Sequence, residues 1–195
     1  MALEYTNRRG DRYFVYEGRT KTGKPKYFCS RKAGGVGVAA LPPDFEIYEH
    51  PQSGLVSVRK IRPTRVLDGE VEFLAEQIRK LAGINHFRID RNGDRLVVYV
   101  CDRDPDAATS LLEKMFGTFG AHAQANRDWI AGHAHYSPTY RFTLMCESDR
   151  LFCLDRWCYR SSVDGWLPLA PGRSLDELAA DYLPHLGQES YFELI

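Results

Sequence analysis

Four times along this chain, two runs of strand-forming residues flank a short stretch rich in Gly, Pro, Asn, Ser or Asp. That pattern restricts the fold to antiparallel sheet built from hairpins. Residues 12–18 and 26–32 flank Arg19-Thr20-Lys21-Thr22-Gly23-Lys24-Pro25, and Phe45 to Glu49 and Leu55 to Ile61 flank His50-Pro51-Gln52-Ser53-Gly54. Phe87 to Asp90 and Leu96 to Cys101 surround Asn92-Gly93, where the dipeptide supplies the positive φ values of a type I′ turn. Tyr140 to Cys146 and Leu151 to Trp157 pair across Glu147-Ser148-Asp149-Arg150. In that register Tyr140, Phe142, Leu144 and Cys146 share an apolar face with Leu151, Cys153 and Trp157, and this face is the expected core.

Helical periodicity appears between these hairpins. Val71, Leu74, Ile78 and Leu81 lie on one face of a helix over Glu70 to Ala82, with Gly83 as its stop. Asp104-Pro105 opens a helix to about Phe116, and a weaker helical stretch covers Ala121 to Ile130. Ser174-Leu175-Asp176-Glu177 is a capping box for a helix through Leu183, and the apolar end, Tyr191 to Ile195, is expected to dock on the body. The 44% apolar and 27% charged residues fit an ordered chain throughout. The reading is an α+β protein: a basic N-terminal β-hairpin module (1–33), a Gly/Pro linker (34–43), and a body (44–195) of antiparallel strands with three or four helices. The Gly-rich part of the linker lacks the Gly-Lys-Ser/Thr ending of a phosphate loop and opens no helix, so it is read as a connector.

Net charge is zero, yet residues 1–65 carry 13 Lys and Arg against 6 Asp and Glu, an excess of +7 balanced by −7 in the remainder. The densest part is the hairpin, where Arg8, Arg9, Arg12, Arg19, Lys21, Lys24, Lys26, Arg31 and Lys32 interleave with aromatic residues. Cations neutralise phosphates and ring faces stack on bases, so these nine side chains, with Tyr13, Tyr16 and Tyr27 as stacking rings, form a candidate nucleic-acid platform. Lysines and arginines also protect a sheet edge from pairing, but nine exceed what edge protection needs. No helix-turn-helix, zinc finger or RRM motif is present, so DNA or RNA would be bound through its backbone with little sequence specificity.

A second cluster, Arg156 to Trp166, places Trp157, Tyr159 and Trp166 around a turn, a composition favoured at protein interfaces. It carries the alternative reading, a protein-interaction or adaptor module. A hydrolase or metal enzyme is the third reading, but its signals are weak. His133 and His135 with Cys146, Cys153 and Cys158 lack Cys-x-x-Cys spacing, and Cys158 has no small neighbours to let it protrude as a nucleophile. Asp68, Glu70 and Glu72 sit where a helix N-terminus attracts acids. The expectation is therefore a non-enzymatic protein with no catalytic residues, metal or cofactor. The opening residues hold no apolar leader, no later run approaches a membrane span of about 18 apolar residues, and the five cysteines lack a disulfide framework, so a cytoplasmic, reduced setting is expected.

Tyr5-Thr6-Asn7-Arg8-Arg9-Gly10-Asp11, the segment Tyr16 to Phe28, Phe45-Glu46-Ile47-Tyr48-Glu49 and Arg156-Trp157-Cys158-Tyr159-Arg160 together resemble an uncharacterised family of bacterial hypothetical proteins. The resemblance implies a bacterial, cytoplasmic setting and brings no activity, cofactor or catalytic residue with it.

Overall fold

The computed structural model describes residues 2–32, 34–116, 123–160 and 163–194. Its contacts divide the chain into two units, Met1–Ile61 with Arg103–His135, and Arg62–Asp102 with Tyr136–Ile195. Antiparallel sheets and four α-helices among the described residues make the protein α+β. No helix among the described residues is long and apolar enough to cross a membrane.

In the first unit, β1 (Glu4–Thr6), β2 (Arg12–Arg19) and β3 (Pro25–Ser30) form an antiparallel sheet. Val36–Gly37, inside the expected connector, form β4 on β2, opposite Tyr16 and Glu17. A second hairpin joins β5 (Phe45–Glu49) to β6 (Val56–Lys60), and β6 lies beside β3. The division into units therefore differs from the expected 1–33, 34–43 and 44–195, because residues 45–60 pack with the N-terminal strands. Helices α2 (Pro105–Phe116) and α3 (Ala123–His133) complete this unit. Asp104 opens α2 as expected, its carboxylate accepting from the Asp106 N–H at 2.9 Å. The expected helix from Ala121 begins outside the described residues and runs on to His133.

The second unit is a meander in spatial order β11-β10-β9-β8-β7, made of β7 (Phe87–Asn92), β8 (Arg95–Cys101), β9 (Tyr136–Cys146), β10 (Leu151–Arg160) and β11 (Val163–Ser174). Helix α1 (Asp68–Gln77) continues as a π-helical turn, Ile78–Ala82, and stops at Gly83, whose φ of +67° suits only glycine without strain. The capping box of α4 (Leu175–Tyr182) forms as expected, with Ser174 Oγ accepting from the Glu177 N–H. One sheet face, carrying Leu96, Val98, Tyr140, Phe142, Leu144, Phe152 and Leu154, packs against Leu74 and Ile78 of the first helix and Leu178 and Ala179 of α4. The docked tail adds Leu183, Leu186 and Tyr191 to the same core.

Two details of register differ from the expectation. Asn92 pairs with Arg95, so the turn residues are Gly93 and Asp94, and only Gly93 takes positive φ, as a type II′ turn requires. More consequential is β10. Cys146 faces Leu151 as expected, but a bulge between Leu151 and Phe152 places Phe152 opposite Leu144 and Leu154 opposite Phe142. The inserted residue is Met145 of β9, and it reverses every later side chain of β10 relative to the unbulged pairing. Phe152, Leu154, Arg156 and Cys158 therefore point to the core, while Cys153 and Trp157 point to the other face. Arg150, at φ +51°, ends the preceding turn and is anchored by Glu70, to which its Nε donates at 2.9 Å.

Two phenols are embedded in this core. Tyr140 donates to the Tyr182 carbonyl at 3.0 Å, and Tyr191 lies 2.9 Å from the Thr139 carbonyl oxygen and 3.1 Å from that of Trp157. Burial pushes both well above the ordinary tyrosine range.

The bulge predicts that Phe152→Ala lowers unfolding free energy by about 3–5 kcal/mol, whereas Cys153→Ala changes it by less than about 1 kcal/mol. Urea titration checks this, and the opposite ranking would restore the unbulged register. A raised phenol pKa in the folded state means stability that is complete below pH ~10 and is lost as pH rises beyond it, because unfolded tyrosines ionise first. Urea midpoints followed to alkaline pH should fall beyond that point, and less steeply in Tyr140→Phe/Tyr191→Phe; a flat profile would show that the folded and unfolded phenols ionise alike.

Candidate nucleic-acid interface

The resemblance motif at the N-terminus forms a closed loop. Asn7 Oδ1 accepts from the N–H groups of Arg9 (3.0 Å) and Asp11 (2.8 Å), and Asn7 Nδ2 donates to the Gly54 carbonyl at 2.8 Å. Such self-bonding is the physical reason an Asn starts a turn, and Gly10 completes it at φ +83°. Arg8 is drawn inward from this loop. Its Nη1 lies 3.0 Å from Glu49 Oε1 and also donates to the His50 carbonyl, while Nη2 donates to the Gln52 carbonyl. Only 6% of the Arg8 side chain is accessible. Tyr5 donates to the other Glu49 oxygen at 3.0 Å, so segments 5–11 and 45–49 meet on one carboxylate. Helix α3 approaches the same loop at Gly132, where a Cβ would lie 2.3 Å from the Arg8 carbonyl oxygen.

The twelve candidate platform residues consequently separate into two groups. Arg8 is a buried structural cation, and Arg9 is half-buried, its Nε enclosed without a hydrogen-bond partner. Tyr13 and Tyr16 are buried at 6% and 4% exposure, and the Tyr16 hydroxyl accepts from the Gly34 N–H at 2.9 Å, so neither ring presents a face for stacking. Tyr27 is half-buried with its ring 5.0 Å from Phe45, edge to face. The other seven, Arg12, Arg19, Lys21, Lys24, Lys26, Arg31 and Lys32, are exposed. Arg12 and Arg31 make open ion pairs with Glu4 (3.8 Å) and Asp11 (3.6 Å). Among the described residues, no ion pair holds Arg19, Lys21, Lys24, Lys26 or Lys32.

The hairpin tip is ordered by its own bonds. Thr20 N–H donates to the Lys24 carbonyl, Gly23 N–H donates back to Thr20, and Gly23 takes φ +79°. Lys21 and Lys24 are thereby carried on a defined turn. Phe28, absent from the predicted stacking rings, is 40% exposed and lies across Gly18, where a Cβ would sit 3.3 Å from its ring. Gly18 pairs with Lys26 and Tyr16 with Phe28, so Phe28 and Lys26 share a sheet face. The signal that could have found Phe28 is its cross-strand diagonal to a glycine, which leaves a ring uncovered.

The basic residues of β6 and the segment after it have different surroundings. Lys60 lies over Phe45 at 5.8 Å, linking it through Phe45 to Tyr27, whereas Arg59 is held by Glu46 at 2.7 Å and lies over the Tyr48 ring. Arg65 belongs to the second unit and is clasped by Asp94, whose carboxyl it holds below the ordinary aspartate range. The alternative trio is assembled by register: Trp157 faces Trp166 with ring centroids 5.1 Å apart, and Tyr159 follows at 6.0 Å, 56% exposed. Trp157 Nε1 is buried without a partner, and Arg141, paired with Asp155, lies over Trp166.

The remaining chemical candidates are dispersed. His133 stacks on Trp129 within α3, while Cys146, Cys153 and Cys158 belong to the other unit and Cys158 is buried. Asp68 pairs with Arg91, and Glu70 with Arg150.

Removing Arg8 while leaving Glu49 enclosed should cost about 3–5 kcal/mol, as expected for breaking a buried ion pair. Lys21→Ala should change stability by no more than about 0.5 kcal/mol. Thermal and urea unfolding check both, and equal small effects would place Arg8 among the free surface cations.

No family model matches the chain, and neither a curated protein nor a solved structure matches it.

Proposed function

We propose that the β2–β3 hairpin binds DNA or RNA through phosphates, with little sequence specificity and without catalysis. The observation that carries this reading is the set of five exposed cations, Arg19, Lys21, Lys24, Lys26 and Lys32, that no ion pair holds among the described residues. Unpaired surface cations attract a polyanion because each phosphate contact releases a condensed counterion. Arg12 and Arg31 can join, since an exposed ion pair contributes about 0–1 kcal/mol and yields readily to a phosphate. Phe28, uncovered beside Lys26, takes the stacking role first assigned to Tyr13 and Tyr16. A single strand can place a base on that ring, whereas a duplex keeps its bases stacked on each other.

The chain with Arg19, Lys21, Lys24 and Lys26 changed to Glu tests this by fluorescence anisotropy with labelled single- and double-stranded DNA and RNA across a salt series. Binding at low salt should fall at least tenfold, and the salt slope should become shallower. Phe28→Ala should weaken single-strand binding by about 1–3 kcal/mol and leave duplex binding unchanged. Absence of binding to every ligand at low salt, or unchanged affinity in the folded four-site variant, refutes the proposal and favours a protein partner at Trp157, Tyr159 and Trp166.

A further inference from the structure

We propose that the second unit carries a binding pocket for a small molecule with an apolar, ring-containing body and no negative charge. A cavity of about 340 Å³ opens where the ends of β8, β9 and β10 meet the C-terminal segment, walled by Val100, Pro138, Tyr159, Leu186, Tyr191 and Phe192. That volume falls within the usual range of small-molecule sites, roughly 300–1,000 Å³.

The walls are held in place before any ligand arrives. Tyr191 bridges two strands through the carbonyls of Thr139 and Trp157, and the buried Arg156 fastens the tail by donating from Nε to the Leu194 carbonyl at 2.7 Å. Gly187, at φ +80°, turns the chain between Leu186 and the wall residues that follow. A preformed wall spares a ligand the cost of ordering it.

The chemistry of the lining defines the occupant. Three of the eleven lining residues are aromatic, and Tyr159 and Phe192 remain 56% and 69% exposed, which leaves flat apolar faces in water at the rim. Covering them with a ring gains apolar burial and aromatic packing. The Tyr191 hydroxyl is engaged by backbone carbonyls and has no proton left to offer. Among the described lining residues Glu189 is the one charged group; Arg156, beneath the Tyr191 ring, is not part of the lining and directs donors to the Leu194 and Phe192 carbonyls. An anion would lose hydration beside the Glu189 carboxylate without a lining cation to receive it, while a neutral or cationic molecule would not. No nucleophile is paired with a base in the lining, so the pocket's role is binding.

Two dyes with the same anilinonaphthalene body separate these requirements: neutral N-phenyl-1-naphthylamine and its sulfonated counterpart, 8-anilinonaphthalene-1-sulfonate. Titration of the full chain should show one saturable site for the neutral dye and at least tenfold weaker binding of the sulfonate, with Glu189→Gln narrowing that gap. Val100→Phe, which fills the cavity, should abolish the site. Phe192→Ala, at an exposed position that leaves the core intact, should weaken it at least fivefold. Non-saturable uptake of the neutral dye, or undiminished affinity in both wall variants, overturns the pocket. Equal affinity for the two dyes overturns the charge selection. Nucleic-acid binding by the hairpin is read in a separate assay, so either proposal can fail without the other.

Discussion

The extra residue Met145, near the end of β9, decides which side of β10 becomes core. Past that bulge the pairing with β9 is shifted by one residue, placing Phe152 and Leu154 toward the helices and Trp157 toward the opposite face. Arg156 is carried inward by the same reversal, an expensive placement for a cation unless its donors are satisfied. The Leu194 carbonyl meets that need and fastens the tail, which in turn provides the Tyr191 and Phe192 walls of the cavity. The bulge, the buried arginine and the pocket are thus successive consequences of one change in register.

In the first unit the governing contrast is between cations with a partner and cations without one. Adjacent arginines in the sequence have different environments because Asn7 closes the loop on itself and turns Arg8 toward Glu49. At the hairpin tip, fixed by Thr20 and Gly23, no carboxylate among the described residues pairs with Lys21 or Lys24. Local backbone geometry therefore sorts a uniform basic run into a structural cation and a surface charge. The aromatic residues are sorted likewise: Tyr13 and Tyr16 enter the core, while Phe28 stays outside over a glycine.

Much of the architecture was legible because it is encoded over short distances. The Gly83 stop, the Asp104 start and the Ser174–Glu177 capping box depend on residues within one turn of each other, and each forms as read. The bulge was not legible, since a two-residue period looks the same until the partner strand shows where it slips. The burial of Tyr16 depends on Gly34 and the β4 strand, remote in sequence from its own alternation. Glu49 selects Arg8 from across 41 positions, and no local pattern distinguishes Arg8 from Arg9.

The sequence by itself determined the α+β class, the hairpins, the helix stop at Gly83, the helix starts at Asp104 and Ser174, and the concentration of positive charge at the N-terminal end, because propensity, turn chemistry and charge are properties of neighbouring residues. Tertiary structure alone decided which cations are neutralised, which rings are exposed, and that residues 100, 138, 159, 186–189, 191 and 192 line a cavity. Those outcomes depend on burial and pairing between segments distant along the chain, where desolvation and the position of each counter-charge set the energy of a side chain.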